Sequence, residues 1–291
     1  MSSTQTQIPA ERTAHSFSGS QYILPSDEEE RERLVRQHQL YTKLFSGRLI
    51  FPPVVLSANL EILDIGTGAG AWLTDCRAQL PESIQIYGID IEPRLFPAYS
   101  FTSPNVHLSV TSATALPSYW SSKFILVHQR LLIAAYTKDE WYKVAKEMYR
   151  VLQPGGYAQL IEIGPDFISG PKTATHVSVM ERLFDGKGLV FRCCDHIQDV
   201  LASAGFIDVR VETAVMRLGK WAGNDGISGR NETIGAWKGM KDAIMRAGGM
   251  GKFNSGEEVE NAMEEIAEEW DTTEGSYTTL KVFYGQKPVN L

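Results

Sequence analysis

Cysteine is scarce in this 291-residue sequence, which has three, two of them adjacent at Cys193 and Cys194. This number and spacing fit neither a disulfide framework nor a zinc site with paired CxxC ligands. We therefore expect no bound metal ion. A reducing compartment, the cytoplasm, is the expected location of the protein.

Long runs of basic charge are also missing. Lys and Arg number 28 against 35 Asp and Glu, which gives a formal net charge of -7, and no basic run exceeds two residues. Proteins that bind nucleic acids normally concentrate positive charge on one face to neutralise phosphates. The sequence therefore predicts neither a nucleic-acid partner nor a polyanionic substrate.

No apolar run is long enough to cross a bilayer. The most apolar stretch, 124–136, is interrupted by polar residues and is shorter than the roughly 20 residues that a spanning helix needs. The first 20 residues are rich in Ser, Thr and Gln and have neither the basic nor the apolar region of a secretory signal. We expect no membrane partner, and a disordered tail over residues 1–20.

Apolar strand-like runs alternate with amphipathic helix-like runs along the rest of the chain, which is typical of α/β folds with a mostly parallel sheet. The hydrophobic fraction of 43% is sufficient for a buried core. Seven strands are predicted, at 61–65, 84–89, 106–110, 124–127, 157–163, 206–215 and 278–284. Helical periodicity spans 69–80, 138–152 and 196–204, and Pro81, Pro154 and Gly205 end these helices.

Two further segments flank this core, and we predict that all of residues 21–291 form one domain. A leading helix over 27–46, with Ser26 as its N-cap, belongs to an N-terminal helical cap of residues 21–56. An insertion of residues 219–275 precedes the last strand. Its first part is rich in glycine with scattered aromatic residues, and an acidic helical pattern follows at 255–270.

A glycine-rich turn follows the first predicted strand directly. Asp64 lies near the end of that strand, and Gly66, Gly68 and Gly70 then lead into a helix. Because glycine has no Cβ, such a turn lets a ligand approach the backbone closely. Gly66, Gly68 and Ala71 also satisfy the fingerprint of dinucleotide-binding enzymes, so the turn alone leaves a nicotinamide cofactor open.

Two acidic residues accompany this turn. Asp64 lies two residues before the first glycine, where a carboxylate suits the ammonium group of a ligand and would repel a diphosphate. Asp90 ends the second strand, twenty residues after Gly70, where its carboxylate can accept both hydroxyls of a ribose. Since both cofactor classes contain a ribose, it is Asp64 that favours a ligand with an ammonium group.

From Tyr22 to about Val215 the chain resembles fungal class I methyltransferases of secondary metabolism, a UbiE-type family that includes relatives of the regulator LaeA. The resemblance is carried by Leu24–Glu30, the glycine turn, Val127–Leu131, and Leu152–Gly156 followed by Glu162. It implies a Rossmann-like α/β fold whose seven-stranded, mostly parallel sheet has helices on both faces and an antiparallel last strand. It also implies S-adenosylmethionine (SAM) as cofactor and S-adenosylhomocysteine (SAH) as product.

The resemblance and the strand positions together imply a set of residues that contact the cofactor. They are Asp64, Gly66, Thr67, Gly68, Gly70, Asp90, Ile91, Ser112, Ala113, His128, Gln129 and Arg130. Ser112 stands where the family usually has an Asp that binds the adenine amino group, and a hydroxyl accepts that hydrogen bond more weakly. Ile125 likewise replaces an Asp that is common in the fourth strand of the family.

Ligands of open α/β sheets bind beyond the carboxyl ends of the strands, so residues 128–130 and Glu162 are expected near the transferred methyl group. His128 is the candidate catalytic base for an acceptor that starts protonated, such as a phenol; a structural hydrogen bond is its alternative role. Arg130 has the alternative of an ion pair with a neighbouring carboxylate. The residues predicted to line an acceptor pocket are Tyr41, Glu162, Met180, Phe184, Trp221 and Trp237, with core packing as the alternative.

The resemblance implies an enzyme that methylates a small apolar metabolite, and we expect oxygen rather than nitrogen or sulfur as the acceptor atom. The identity of the acceptor and the choice between monomer and homodimer stay open. A second interpretation is a LaeA-like SAM-binding regulator that acts through a protein partner, for which a nuclear location is also compatible. A third, less favoured one is an NAD(P)-dependent oxidoreductase.

Overall fold

The computed structural model describes residues 22–97 and 103–289, so the predicted tail of residues 1–20 lies outside the described residues. Its centre is a seven-stranded sheet in the order β3-β2-β1-β4-β5-β7-β6. The strands are Glu61–Ile65 (β1), Gln85–Asp90 (β2), Val106–Val110 (β3), Phe124–Arg130 (β4), Leu152–Ile163 (β5), Ile207–Arg217 (β6) and Tyr277–Gln286 (β7). Strands β1 to β5 pair in parallel, whereas β7 runs antiparallel to β5 and β6. The predicted fold class, with its antiparallel last strand, is confirmed.

Helices cover both faces of this sheet. They are Glu28–Leu44 (α1), Ala71–Gln79 (α2), Lys138–Val151 (α3), Pro171–Gly186 (α4), Ile197–Ala204 (α5), Gly223–Gly239 (α6), Lys241–Arg246 (α7) and Gly256–Thr272 (α8). In β4, Val127 packs in a cluster with Val144 of α3, and Leu126 packs in another with Leu73 of α2. This alternation follows from the two-residue period of a strand. No helix of the described segments combines the length and the apolar character needed to span a bilayer.

Local hydrogen bonds explain where two of the helices begin. Helix α3 starts with a reciprocal capping box between Thr137 and Glu140, in which each side chain bonds to the other's backbone N–H. Helix α1 is capped by Asp27, whose Oδ1 accepts a hydrogen bond from the N–H of Glu30 at 3.0 Å. The prediction of Ser26 as the cap was wrong, because the Ser26 hydroxyl accepts a hydrogen bond from Arg94.

Three strands, β4, β5 and β7, are at least three residues longer than the sequence pattern predicts. Strand β4 continues to Arg130, and β5 begins at Leu152, so residues 154–156 belong to a strand and not to a separate turn. The start of β5 is irregular: Leu152 pairs with Phe124, and the register shifts before the next pair. Gly155, with a φ of +82°, sits in this irregular stretch and donates its N–H to the carbonyl of Lys287 at 2.9 Å.

Helices α4 and α6 are not predicted from the sequence pattern. Helix α6 is rich in glycine, which is a poor helix former. Its glycines are needed for close packing, since a Cβ at Gly226 would overlap the carbonyl of Gly219, and one at Gly229 would overlap the carbonyl of Arg217. Helix α6 also contacts α1. The division of the chain into a cap of residues 21–56 and an insertion of residues 219–275 stays a prediction.

Candidate functional site

A cavity of about 340 Å³ opens at the carboxyl ends of the central strands. One group of lining residues comes from the ends of β1 to β3 and the turns that follow them. A second group comes from α1, α4, α6 and the segment after β5, and it is mostly apolar. The segment 130–136, after β4, contributes to the lining as well.

The glycine turn leaves its backbone open to the cavity. Gly66 and Gly68 have φ values of +67° and +49°, which non-glycine residues adopt rarely. A Cβ at Gly66 would lie 2.7 Å from Leu132 Cδ2, so this position also has no room for a side chain. Thr67 and Ala69 line the cavity with them. Gly70, predicted as a contact, lies outside the lining and caps α2 with φ +68°.

Asp64 is buried beneath this turn and uses both of its carboxylate oxygens. Oδ1 lies 2.7 Å from Nδ1 of His128, and Oδ2 accepts the hydroxyl of Thr67 at 2.7 Å. The side chain is 3% exposed and lines the cavity. A ligand ammonium group would therefore meet a carboxylate that is already oriented by two neighbours.

Asp90 lies at the end of β2 and also lines the cavity. Its carboxylate accepts the N–H of Gly68 at 2.8 Å and the N–H of Glu92 at 2.9 Å. Burial raises its pKa to about 6, although these backbone hydrogen bonds oppose the rise. Ile91, Ser112 and Ala113 lie on the same side of the cavity, and the Ser112 hydroxyl is 2.9 Å from that of Thr114.

The three consecutive residues predicted at the end of β4 separate onto two faces. His128 and Arg130 line the cavity, whereas Gln129 does not. The side chain of Gln129 is buried, and within the described residues neither its nitrogen nor its oxygen has a hydrogen-bond partner. The predicted cofactor contact of Gln129 is therefore corrected, because successive residues of a strand face opposite sides of the sheet.

His128 is a neutral, enclosed imidazole. Its ring stacks on Trp72 with centroids 4.1 Å apart, and burial lowers its pKa despite the neighbouring carboxylate of Asp64. Nε2 has no hydrogen-bond partner among the described residues. When Nδ1 donates to Asp64, Nε2 is left as an acceptor. Catalysis by His128 stays a prediction.

Within the described residues, Arg130 does not form the ion pair that was considered for it. Among the described side chains its nearest polar partner is Nδ1 of His38, at 3.1 Å from Nη1, and the guanidinium lies 6.0 Å from the centre of the Tyr41 ring. His38 in turn lies 2.8 Å from a carboxylate oxygen of Asp75. Burial lowers the pKa of Arg130, but an arginine remains charged at neutral pH.

Glu162 is not a lining residue, and its predicted contact with the acceptor is corrected. Its two carboxylate oxygens accept the backbone N–H groups of Leu132 and Ile133, at 2.8 and 3.2 Å. Burial raises its pKa to about 8. Glu162 therefore holds the segment after β4, which itself lines the cavity.

Of the predicted acceptor residues, Tyr41, Met180, Phe184 and Trp237 line the cavity. Trp221 does not, because it lies in the short 3-10 turn Lys220–Ala222 and its Nε1 donates to the carbonyl of Leu218 at 2.8 Å. The prediction for Trp221 was wrong. Further apolar lining residues, which sequence reasoning missed, are Phe167, Phe191 and Met240.

A polar group of the lining was also missed, apart from its predicted member Tyr41. Arg33, Gln37 and Tyr41 are spaced four residues apart on α1 and reach the cavity together with Glu232 of α6. Arg33 forms buried ion pairs with Glu30 and Glu232. The four-residue spacing on α1 was a usable signal, whereas the partner in α6 lies 199 residues from Arg33.

The residues present fit SAM. The turn at 66–68 offers backbone that side chains would otherwise cover, Asp90 provides acceptors for two hydroxyls, and Asp64 provides a negative charge for an ammonium group. Beyond them the lining continues with apolar side chains, as an apolar acceptor would require.

Comparisons with known proteins agree with this assignment. A family model described as a methyltransferase domain matches residues 62–156. The chain is 31% identical to the N-methyltransferase sirN of Leptosphaeria maculans, over 92% of this chain and 95% of that protein. It is 28% identical to the N-methyltransferase verN of Clonostachys rogersoniana, over 77% of this chain and 76% of that protein.

Among solved structures, the chain is similar to the [4+2]-cyclase SpnF, with a TM-score of 0.51 and 16% sequence identity. The similarity covers 92% of this chain and 88% of that chain. At this level of identity the similarity concerns the fold alone, and the fold does not determine the reaction.

Proposed function

The chain belongs to the class I SAM-dependent methyltransferases of fungal secondary metabolism, and on that premise we propose that it methylates a nitrogen atom of a small, largely apolar metabolite. Two relatives, which align with this chain over 95% and 76% of their own lengths, are named N-methyltransferases. Methylation at oxygen, the expectation of the sequence analysis, stays a prediction that the same experiment tests.

The observation that carries this proposal is the composition of the cavity. The glycine turn and Asp90 share one cavity with Met180, Phe184 and Trp237. Aromatic and thioether side chains favour flat, apolar ligands, and a cavity that also holds polar groups can orient them. A cofactor and an acceptor bound there would be neighbours, as direct transfer of a methyl group requires.

SAM supplies, when bound, a methyl group on a positively charged sulfur. We assign the ammonium group to Asp64, the ribose hydroxyls to Asp90 and the adenine edge to Ser112 with Ala113. The backbone of residues 66–68 approaches the ligand most closely. Methyl transfer is an in-line displacement, so the main contribution of the protein is to hold the acceptor nitrogen in line with the carbon–sulfur bond.

The proposal is tested with acceptors that share one skeleton and differ in the nucleophile. We would incubate the protein with methyl-labelled SAM and either 2-naphthylamine, 2-naphthol or 2-naphthalenethiol, and identify labelled products by mass spectrometry. Label on the amine supports the proposal. Label confined to the naphthol would overturn the assignment to nitrogen in favour of oxygen, and label on none of the three would overturn transfer to small aromatic acceptors.

If the protein were a regulator, none of the three acceptors would be labelled, and SAH would still bind tightly. A LaeA-like protein that acts through a partner needs the cofactor-side residues but no acceptor pocket. No observation on this chain favours it over the enzyme, because the cavity continues beyond the cofactor-side residues to an apolar wall.

A further inference from the structure

One face of helix α6 forms part of the cavity wall. Glu232, Thr233, Ala236 and Trp237 line it, at positions i, i+1, i+4 and i+5, and the C-cap residue Met240 continues the row at i+8. This spacing is that of a single helix face. Glu232 is therefore a carboxylate within an otherwise mostly apolar wall, about one turn before Trp237.

One oxygen of Glu232 is anchored and the other is not. Oε1 accepts hydrogen bonds from the guanidinium of Arg33 and from Nε2 of Gln37, the latter at 2.8 Å. Oε2 has no hydrogen-bond partner among the described residues, although Glu232 is only 7% exposed. A carboxylate that is held through one oxygen, while the other is neither bonded to a described residue nor fully enclosed, can accept a hydrogen bond from a ligand.

Burial and the surrounding charges place the pKa of Glu232 close to neutrality. Burial raises its pKa to about 7; Arg33 lowers it and Glu30 raises it. Tyr41 of α1 and Arg130 of β4 also lie within electrostatic range of Glu232. Close to neutral pH such a group can take up a proton and release it again.

We propose that Oε2 of Glu232 binds the N–H of the acceptor and takes its proton during methyl transfer. This inference rests on the proposed N-methylation. The acceptor nitrogen gives its electron pair to the methyl carbon, and the carbon–sulfur bond breaks with its electrons remaining on sulfur. The positive charge that this places on nitrogen is stabilised by the adjacent carboxylate, and the N–H proton then passes to Glu232.

Other titratable groups of the cavity suit this role less well. Burial raises the pKa of Tyr41 far above neutrality, so its hydroxyl stays protonated. Arg130 is cationic. His128 is hydrogen-bonded to Asp64 and stacked on Trp72, on the side of the glycine turn. Glu232 alone of these four stands on the same helix face as the acceptor-side aromatic Trp237.

A binding experiment on the unaltered protein tests the contact without relying on turnover. With SAH present, quenching of tryptophan fluorescence would give the affinities for 2-naphthylamine and for N,N-dimethyl-2-naphthylamine, which has no N–H. We expect the amine to bind about tenfold more tightly at pH 8, and this preference to decline below about pH 7. Equal affinities at pH 8 would overturn the proposal.

The variant Glu232→Gln tests the proton transfer, because the amide keeps an oxygen for Arg33 and Gln37 but cannot accept the proton. We expect kcat/KM for 2-naphthylamine to fall 10²- to 10³-fold, in the range of general base catalysis. SAH affinity, measured by calorimetry, should stay unchanged. In the unaltered enzyme kcat/KM should fall tenfold per pH unit below about pH 7, and the variant should lose this dependence.

Glu30→Gln is the matched control. Glu30 bonds the same guanidinium as Glu232 but lies outside the cavity lining. We expect its kcat/KM to stay within about threefold of the unaltered enzyme. Equal losses in both variants, with the pH dependence retained, would show that the Arg33 network is structural and overturn the proposal. An active enzyme whose Glu232→Gln variant is unimpaired would overturn the inference alone, whereas an unaltered protein that methylates no amine would overturn the proposed N-methylation itself.

Discussion

The carboxylate of Asp64 contacts His128 and Thr67, and in the proposed complex it also binds the ammonium group of the cofactor. We predict that Asp64→Asn lowers the affinity for SAM and SAH about 10- to 100-fold, because hydrogen bonds to charged groups contribute roughly 1.5–3 kcal/mol. Isothermal titration calorimetry measures the effect. The control is Asp75→Asn, whose carboxylate bonds His38 and does not line the cavity. Equal affinities in Asp64→Asn and the unaltered protein would remove the ammonium site from this account.

At the scale of residues, the position of a side chain could be predicted where a sequence motif fixes its place in the fold. Asp64 and Asp90 could be placed because each ends a strand beside the glycine turn. Gln129 was misplaced because β4 was predicted to end at residue 127, so Gln129 was interpreted as part of the loop that follows the strand. Glu162 was misplaced because its backbone partners lie after a different strand, which no local pattern reveals. Glu232 was missed because its partner Arg33 is remote in sequence and its helix is rich in glycine.

The segment after β4 depends on Glu162, and this gives an expected pH dependence of stability. Burial raises the pKa of Glu162 from its ordinary value of 4.5 to about 8, so the fold favours the protonated form. The stability that this group contributes is fully present below about pH 4.5 and is lost as pH rises to about 8. The loss is at most about 1.4 kcal/mol per pH unit.

The variant Glu162→Gln isolates this contribution because an amide does not titrate. Urea unfolding of both proteins between pH 5 and 8.5 should show the unaltered protein losing stability relative to the variant as pH rises. A constant difference across this range would contradict the raised pKa. A difference that grows in favour of the unaltered protein would mean that the carboxylate is ionised in the fold.

The wall formed by α4 and α6 leads to a prediction about the acceptor. Trp237 packs on Phe167, His176 and Trp270, with ring centroids 4.9, 4.6 and 5.4 Å away. We expect Trp237→Phe to raise KM for the acceptor about tenfold, because it removes apolar contact area from the cavity. SAH affinity should change less than twofold.

Trp221→Phe is the matched control in steady-state kinetics. Trp221 was an equally strong candidate from the sequence but lies outside the cavity lining. Its substitution removes one hydrogen bond to a backbone carbonyl and should leave KM for the acceptor unchanged. A larger effect in Trp221→Phe than in Trp237→Phe would contradict the assignment of the wall.

At the scale of elements, all seven strands were predicted, and their ends were the uncertain part. Alternating apolar residues indicate that a strand exists, but its end depends on hydrogen bonds with neighbours, as at Leu152 and Phe124. Helix α6 escaped prediction for a different reason. Its glycines disfavour an isolated helix, and the helix is stabilised by backbone packing against residues 217–219, which no local pattern reveals.

For the whole molecule, cofactor binding should stabilise the fold. At a SAH concentration 100 times its Kd, linkage adds about 2.7 kcal/mol to the free energy of unfolding. For a chain of this size that corresponds to a rise in Tm of roughly 4 °C. NAD and NADP at equal concentrations should have no effect in the same thermal-shift experiment. Stabilisation by a nicotinamide dinucleotide and not by SAH would revive the oxidoreductase interpretation.

The topology of the whole molecule was predictable because the alternation of strands and helices, the glycine turn and the final strand each constrain it. The shape of the acceptor cavity was not. It depends on how α1 meets α6 through Arg33 and Glu232, and on where the segment after β4 is held by Glu162. These are contacts between distant parts of the chain, and they form only when the sheet is complete.

Helix α6 has unlike halves. In its first half Gly226 and Gly229 lie directly on neighbouring backbone, where a side chain would displace the helix, and in its second half Glu232 and Trp237 line the cavity. The cavity-facing residues can therefore vary while the packing of the first half stays fixed. Such an arrangement allows the acceptor preference to change through a few substitutions while the part of the fold that binds the methyl donor is preserved.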